Sequence, residues 1–372
     1  MARIVKCGLA DIISDLESIS ALDVCELGSG DTDDLFLCAL GFEPRCLTLP
    51  CRLNGKGYKA KKAFYFKYST NLEDNAVNLP ELERHLFGIA ATVEPIEADA
   101  LDFANRFKSL LNLVVSDARN RAPKVTIDIS VAANRLLLRC VRILLAYELS
   151  LRVIYSEAEV YHPSKSEYEL NSAHWEKEGL RGLEFGVGDV IPSVDYPGDD
   201  LDPLPDSLIL FPSFMPDRSK AVISSIDPSL LQYPGEKVIW LPGVPRLEQD
   251  CWRLEATKRL NGIGGTTRHF EICTFDYKET LQCLERLHSE LSANSRITLS
   301  PLGSKMQALG TALFCYMHPD VRVILSSPKE YNAAQYSEGC KEVWKIDFGL
   351  LANLRRNLDE VGMLRIVDSN SN

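Results

Sequence analysis

Leu151-Arg152-Val153-Ile154-Tyr155-Ser156-Glu157-Ala158-Glu159-Val160-Tyr161 returns in outline as Val321-Arg322-Val323-Ile324-Leu325-Ser326-Ser327-Pro328-Lys329-Glu330-Tyr331. Arg-Val-Ile, the serine two residues on and the closing tyrosine coincide at one offset, 170 positions, the step from Val153 to Val323. The same offset lays Arg135 on Lys305 and Ser130 on Ser300. Near the start of each half, Gly41-Phe42-Glu43-Pro44-Arg45 meets Ser213-Phe214-Met215-Pro216-Asp217-Arg218, with one extra residue before the arginine. A repeated strand end, basic helix-start residue and Phe-x-Pro-(x)-Arg loop predict an internal duplication, with two similar lobes facing a shared cleft.

Working outward, short β-branched or aromatic runs alternate with longer helical patterns, the mark of a parallel sheet flanked by helices. In the first half the expected strands are 35–40, 63–68, 92–96, 124–129 and 152–155. An amphipathic helix is expected over 103–118, with Phe103, Phe107, Leu110, Leu111 and Val114 on one face. A helix over 134–147 is apolar nearly all round and belongs between a sheet and another layer. The second half repeats the order, with strands at 207–211, 237–241, 270–274, 296–299 and 321–325 and helices at 277–291 and 305–317. The fold class is therefore α/β: two tandem Rossmann-like lobes with parallel sheets, related by duplication. Pro192, Pro197, Gly198, Pro203 and Pro205 mark 191–206 as a linker between lobes at 1–190 and 207–372. The tail from Asp368 to Asn372 reads as frayed.

At 372 residues the chain can hold two cores. No apolar run reaches the roughly 20 residues of a membrane helix, and the first residues are too weakly apolar for a signal peptide. Eleven cysteines, an odd number without a Cys-x-x-Cys pair, read as small buried apolar residues rather than a disulfide framework or metal site. A cytoplasmic location, no membrane partner, no metal and no cofactor are expected. A net charge of −11 disfavours duplex nucleic acid, whose affinity rests on many phosphate contacts. It leaves room for a small anion held by a few local cations.

Ligands of open parallel sheets bind beyond the carboxyl ends of the strands. All the repeated residues fall on that edge. Each strand-four loop carries a hydroxyl (Ser130, Ser300) and then a cation (Arg135, Lys305) in the first turn of a helix. A helix start favours anions and disfavours cations by a few tenths of a kcal/mol. The cations therefore call for a negative partner, either a neighbouring carboxylate or a bound phosphate. Arg45 and Arg218 could also grip phosphate, or else Glu43 and Asp217 pair with the arginine of their own loop. Tyr161 and Tyr331 could stack on a base or simply line the rim, and Asn134 completes the candidate ligand set. Glu43, Asp128 and Glu157 are the candidate general bases if the ligand is cleaved.

Three other patterns are weaker. Val24-Cys25-Glu26-Leu27-Gly28-Ser29-Gly30-Asp31 looks like a methyltransferase opening but lacks the helix that should follow the glycines. Gly262-Ile263-Gly264-Gly265-Thr266-Thr267 precedes a strand and reads as a turn. His174 is a surface histidine or a weak catalytic candidate; His162, His269 and Cys251 show no nucleophile–base spacing.

The Asp128-x-Ser130 segment followed by Arg135, between a fourth strand and a helix, resembles the signature loop of CARF-type (CRISPR-associated Rossmann fold) sensor domains. In this chain the cation lies five residues beyond the hydroxyl in both halves rather than four, and Thr298 stands where the second copy would carry the acid. CARF and the related SAVED proteins pair two such lobes around a cyclic oligonucleotide. The resemblance implies a nucleotide sensor in prokaryotic antiviral defence, with any effector a separate protein. A phosphohydrolase or nucleotide-cleaving enzyme at the same edge is the alternative, and a protein-interaction scaffold the second.

Overall fold

A computed structural model describes residues 9–28, 32–178, 182–199 and 204–369. Its principal strands, in chain order, are β1 (Asp33–Ala39), β2 (Ala60–Lys67), β3 (Ala90–Glu97), β4 (Lys124–Asp128), β5 (Ser150–Ser156), β6 (Glu184–Pro197), β7 (Asp206–Phe211), β8 (Val238–Trp240), β9 (Arg268–His269), β10 (Arg296–Pro301), β11 (Arg322–Tyr331) and β12 (Val343–Leu350). The helices used below are α1 (Leu72–Ile89), α2 (Phe103–Ala118), α3 (Asn134–Leu144), α4 (Lys165–Glu178), α5 (Pro216–Ile226), α6 (Trp252–Leu260), α7 (Tyr277–Leu291), α8 (Lys305–Met317) and α9 (Leu351–Ser369). The fold is α/β with mixed, largely parallel sheets. Among the described residues, no helix is long and apolar enough to cross a membrane.

The chain forms two compact units, 1–161 with 336–372, and 162–335. The first holds a sheet ordered β12-β5-β4-β1-β2-β3, extended beyond β12 by Ser20–Ala21. β1 to β5 run parallel, and β12 is antiparallel to β5. In chain order β1 to β5 lie as 3-2-1-4-5, a doubly wound arrangement. The second unit holds β9-β8-β7-β10-β11-β6, again 3-2-1-4-5 with an antiparallel sixth strand on β11. Every residue of β1 is buried. A strand covered on both faces needs apolar side chains throughout rather than alternation, which is why Leu35 to Leu40 reads as a continuous apolar run.

These boundaries differ from the expected lobes at 1–190 and 207–372. Much of the expected linker is strand, because β6 runs to Pro197 and β7 opens at Asp206; residues 200–203 lie outside the described set. Pro192 and Pro197 lie on β6, an edge strand, where a missing N–H removes no bond from the ladder interior. The sixth strands also enter in an unexpected order. β6 follows β5 in sequence yet pairs with β11, whereas β12 follows β11 yet pairs with β5.

The helices expected at 103–118, 277–291 and 305–317 form over those residues, and the helix from 134 ends at Leu144. α1 was not anticipated, since Pro80 interrupts it and an interior proline costs a helix about 3 kcal/mol. Its buried Leu82, Leu86 and Ile89 pack with Leu49 and Leu53, and that burial offsets the proline. The expected strand over 270–274 divides: β9 pairs with β8, while Ile272–Cys273 pairs with Gly243–Val244. Val24–Gly28 is a short helix rather than a strand; 29–31 lie outside the described residues, as does the tail beyond Ser369.

Candidate functional site

At the carboxyl edge of the first sheet, the loop after β1 is tied down by its own charges. Arg45 donates from Nε to Glu43 Oε2 at 2.9 Å and from Nη2 to Glu43 Oε1 at 3.2 Å. Its Nη1 donates to the carbonyl of Ser156, the last residue of β5, at 3.1 Å. Both side chains are buried, at 5% and 6% exposure. Glu43 also accepts from the Ser337 hydroxyl. Tyr155 and Tyr161 lie 6.0 and 5.9 Å from the guanidinium, and their hydroxyls hydrogen-bond to each other at 2.6 Å. Arg45 therefore closes the end of the sheet within the protein, as the own-loop pairing reading expected, and Tyr161 belongs to that closure.

The loop after β4 is built differently. Asp128 Oδ1 accepts from the Ser130 N–H at 2.9 Å and from the Ser130 hydroxyl. Ser130 Oγ in turn accepts from the Ser156 N–H at 2.7 Å. Burial pushes the Asp128 carboxyl up to about 6, while the Ser130 hydrogen bonds and the Arg45 charge pull the other way. The two loops approach closely at Gly41, where a Cβ would sit 3.1 Å from the Val131 side chain. Glu157 accepts from the Trp344 indole N–H at 3.1 Å. The three candidate bases are thus each engaged by the protein.

α3 starts just beyond. Its N-cap is Ala133, which supplies no side-chain cap; the Ala133 N–H donates to the Tyr68 hydroxyl at 2.8 Å. Asn134 and Arg135, the first two helical residues, are half-buried. Among the described residues Arg135 has no hydrogen bond or ion pair, so the neighbouring carboxylate that would have explained a cation here is not among them.

The second unit repeats the arginine lock with a different acid. Arg218 donates from Nη1 to Glu184 Oε1 at 3.0 Å and from Nη2 to the Ser326 carbonyl. Glu184 comes from β6, whereas Asp217, in the first turn of α5, pairs with Lys220 at 3.5 Å. Burial raises the Glu184 carboxyl, and Arg218 opposes the shift. Tyr331 closes β11 opposite Glu184. The edge then departs from the first. Ser300 lies inside β10 opposite Leu210, fully buried, and its Oγ has no hydrogen-bond partner among the described residues. Lys305 opens α8 behind a capping box: Ser304 Oγ accepts from the Gln307 N–H at 3.2 Å, and Gln307 Oε1 accepts from the Ser304 N–H at 2.9 Å. This helix start is satisfied by its own side chains. The Ser-x-x-Gln spacing before an apolar run is the signal in the sequence that marks it.

In the ladders Arg152 faces Thr126 and Arg322 faces Thr298. With the arginines level, Thr298 stands 172 positions from Thr126 rather than 170, which sets Ser300 level with Asp128, and the stretch from Ser300 to Lys305 is one residue shorter than that from Asp128 to Asn134. His174 is exposed on α4. Among the described residues, the group with metal-ligating spacing is His288, His318 and Asp320, at the opposite edge of the second sheet. No protein-family model matches this chain, and no curated protein matches it.

Proposed function

We propose that the chain binds a nucleotide-type anionic ligand at the carboxyl edge of its first sheet, with the start of α3 and Arg135 taking the phosphate. The observation that carries this reading is the Arg135 side chain, a cation in the first turn of a helix with no side-chain cap and no described partner. A helix start offers free N–H donors and a positive dipole end, so an anion there answers both the donors and the cation. Ser130 and Asn134 flank the position. Arg45, locked on Glu43, shapes the edge rather than meeting the ligand.

An internal duplication accounts for the two sheets with one strand order. It is supported by two half-buried clusters at their amino ends: Arg152 on Thr126 and Asp33, at 3.3 and 3.6 Å, and Arg322 on Thr298 and Asp206, both at 3.2 Å. The capping box at Lys305 makes the second edge the poorer anion site, so the copies have diverged. The sensor role in antiviral defence and a separate effector protein rest on the resemblance to CARF-type loops. The enzymatic alternative is favoured by one feature: Asp128, held near 6, suits a general base at neutral pH, and the second unit has Ser300 in its place.

Thermal melting against mono-, di- and cyclic nucleotides tests the reading. A ligand that binds only the folded chain raises its melting temperature, and Arg135→Ala should abolish that rise while leaving the ligand-free melt within about 0.5 kcal/mol of the parent. No shift with any nucleotide refutes the proposal. Product analysis of the shifted samples separates binding from cleavage.

A further inference from the structure

We infer that the second unit carries a divalent transition-metal site, of the zinc class, formed by His288, His318 and Asp320. Glu285 and His288, three residues apart on α7, share one helix face. His318 caps the end of α8, and Asp320 lies in the turn that leads into β11. One potential ligand atom from each of His288, His318 and Asp320 lies within 4.8 Å of the others, a set that small side-chain rotations gather around an ion with bonds of about 2.1 Å. His288 Nε2 and Asp320 Oδ2 are 2.9 Å apart. Two ligand atoms at that separation and that bond length subtend about 90° at the ion.

The surroundings fit a metal better than a bare ion-pair network. His318 Nε2 faces Glu285 Oε1 at 2.6 Å, and Glu285 is fully buried. A carboxylate behind a histidine fixes its tautomer and leaves the other ring nitrogen for the ion. The two imidazole rings pack with centroids 4.0 Å apart and a 33° tilt, and the Phe314 ring lies against both, edge-on to His288 and tilted on His318. A divalent cation would offset the charge of the Glu285 and Asp320 carboxylates, and ligation takes imidazoles in their neutral form. Two imidazoles and a carboxylate suit zinc. The half-exposed Asp320 side leaves a fourth position for water. An ion here joins α7 to the turn before β11 at the amino edge of the sheet, so the site is independent of the proposed anion edge.

Chelator-treated full-length chain is titrated with Zn²⁺ and followed by calorimetry and melting, with Co²⁺ as spectroscopic probe. One equivalent is expected, and at a hundredfold excess over Kd the folded-to-unfolded ratio should rise about 100-fold. Asp320→Asn, at a half-exposed position, should fold as the metal-free parent does and bind at least tenfold more weakly; His288→Gln should do the same. The Co²⁺ spectrum should lack the sulfur charge-transfer band that the exposed Cys25, Cys51 or Cys251 would give. Failure of the parent to bind Zn²⁺, binding unchanged in Asp320→Asn, or a sulfur band each overturns the inference. If His288→Gln does not fold, Asp320→Asn and the parent spectrum still decide.

Discussion

Replacing Arg45 by alanine should destabilise the first unit by several kcal/mol whether or not a ligand is present. The guanidinium makes two hydrogen bonds to Glu43 and one to the Ser156 carbonyl, all buried. Removing it strands the Glu43 carboxylate at 6% exposure, with the Ser337 hydroxyl as the hydrogen-bond donor it keeps. Breaking a buried pair from one side costs about 3–5 kcal/mol. For a unit of roughly 200 residues, each kcal/mol lowers the melting temperature by about 2–4 °C, so the loss should be roughly 6–20 °C. Chemical denaturation at neutral pH, followed by tryptophan fluorescence, measures the same quantity as a fall in midpoint at unchanged slope. The double variant Arg45→Met/Glu43→Leu should recover most of the loss, because a buried pair exchanged for apolar groups of similar size is often neutral. A cost below about 1 kcal/mol for Arg45→Ala would refute the lock and return Arg45 to the ligand-facing set.

Asp128→Asn keeps the Oδ1 acceptor for Ser130 and removes the charge. The native carboxyl is raised from 3.8 to about 6, so the stability it contributes is fully present below about pH 3.8 and lost as pH rises through 6. That loss is about 3 kcal/mol. The variant should therefore gain on the parent by up to that amount between pH 4 and pH 7 in paired denaturation curves; a constant difference over the range would show that the carboxyl is not held up. Excised residues 162–335 should fold cooperatively, because β6 and β11 remain together, whereas 207–372 should not, because it lacks β6 and leaves β11 as an unpaired edge. Circular dichroism and melting of both fragments check this, and a folded 207–372 would overturn the division.

Much of the architecture is local and could be read from the sequence. Apolar runs such as Leu35 to Leu40 and the 3.6-residue periodicity of α2 depend only on which faces are buried, and the repeated Arg-Val-Ile segments located both fifth strands. β6 was missed because prolines and polar residues on an edge strand resemble a linker, and α1 because a helix interrupted by proline is carried by its buried face rather than by propensity. The sequence places the candidate cations at strand ends but does not show what each one pairs with. Arg45, Arg135 and Arg218 look alike in the sequence, each a cation beside a strand end. Only the tertiary structure pairs two of them with Glu43 and Glu184 and leaves Arg135 half-buried without a described partner. The local pattern fixes which segments become strands and helices. Strand pairing decides which sheet β6 and β12 complete, because their partner strands lie more than a hundred positions away, and the same distance separates Arg45 and Arg218 from the Ser156 and Ser326 carbonyls that fix their orientation.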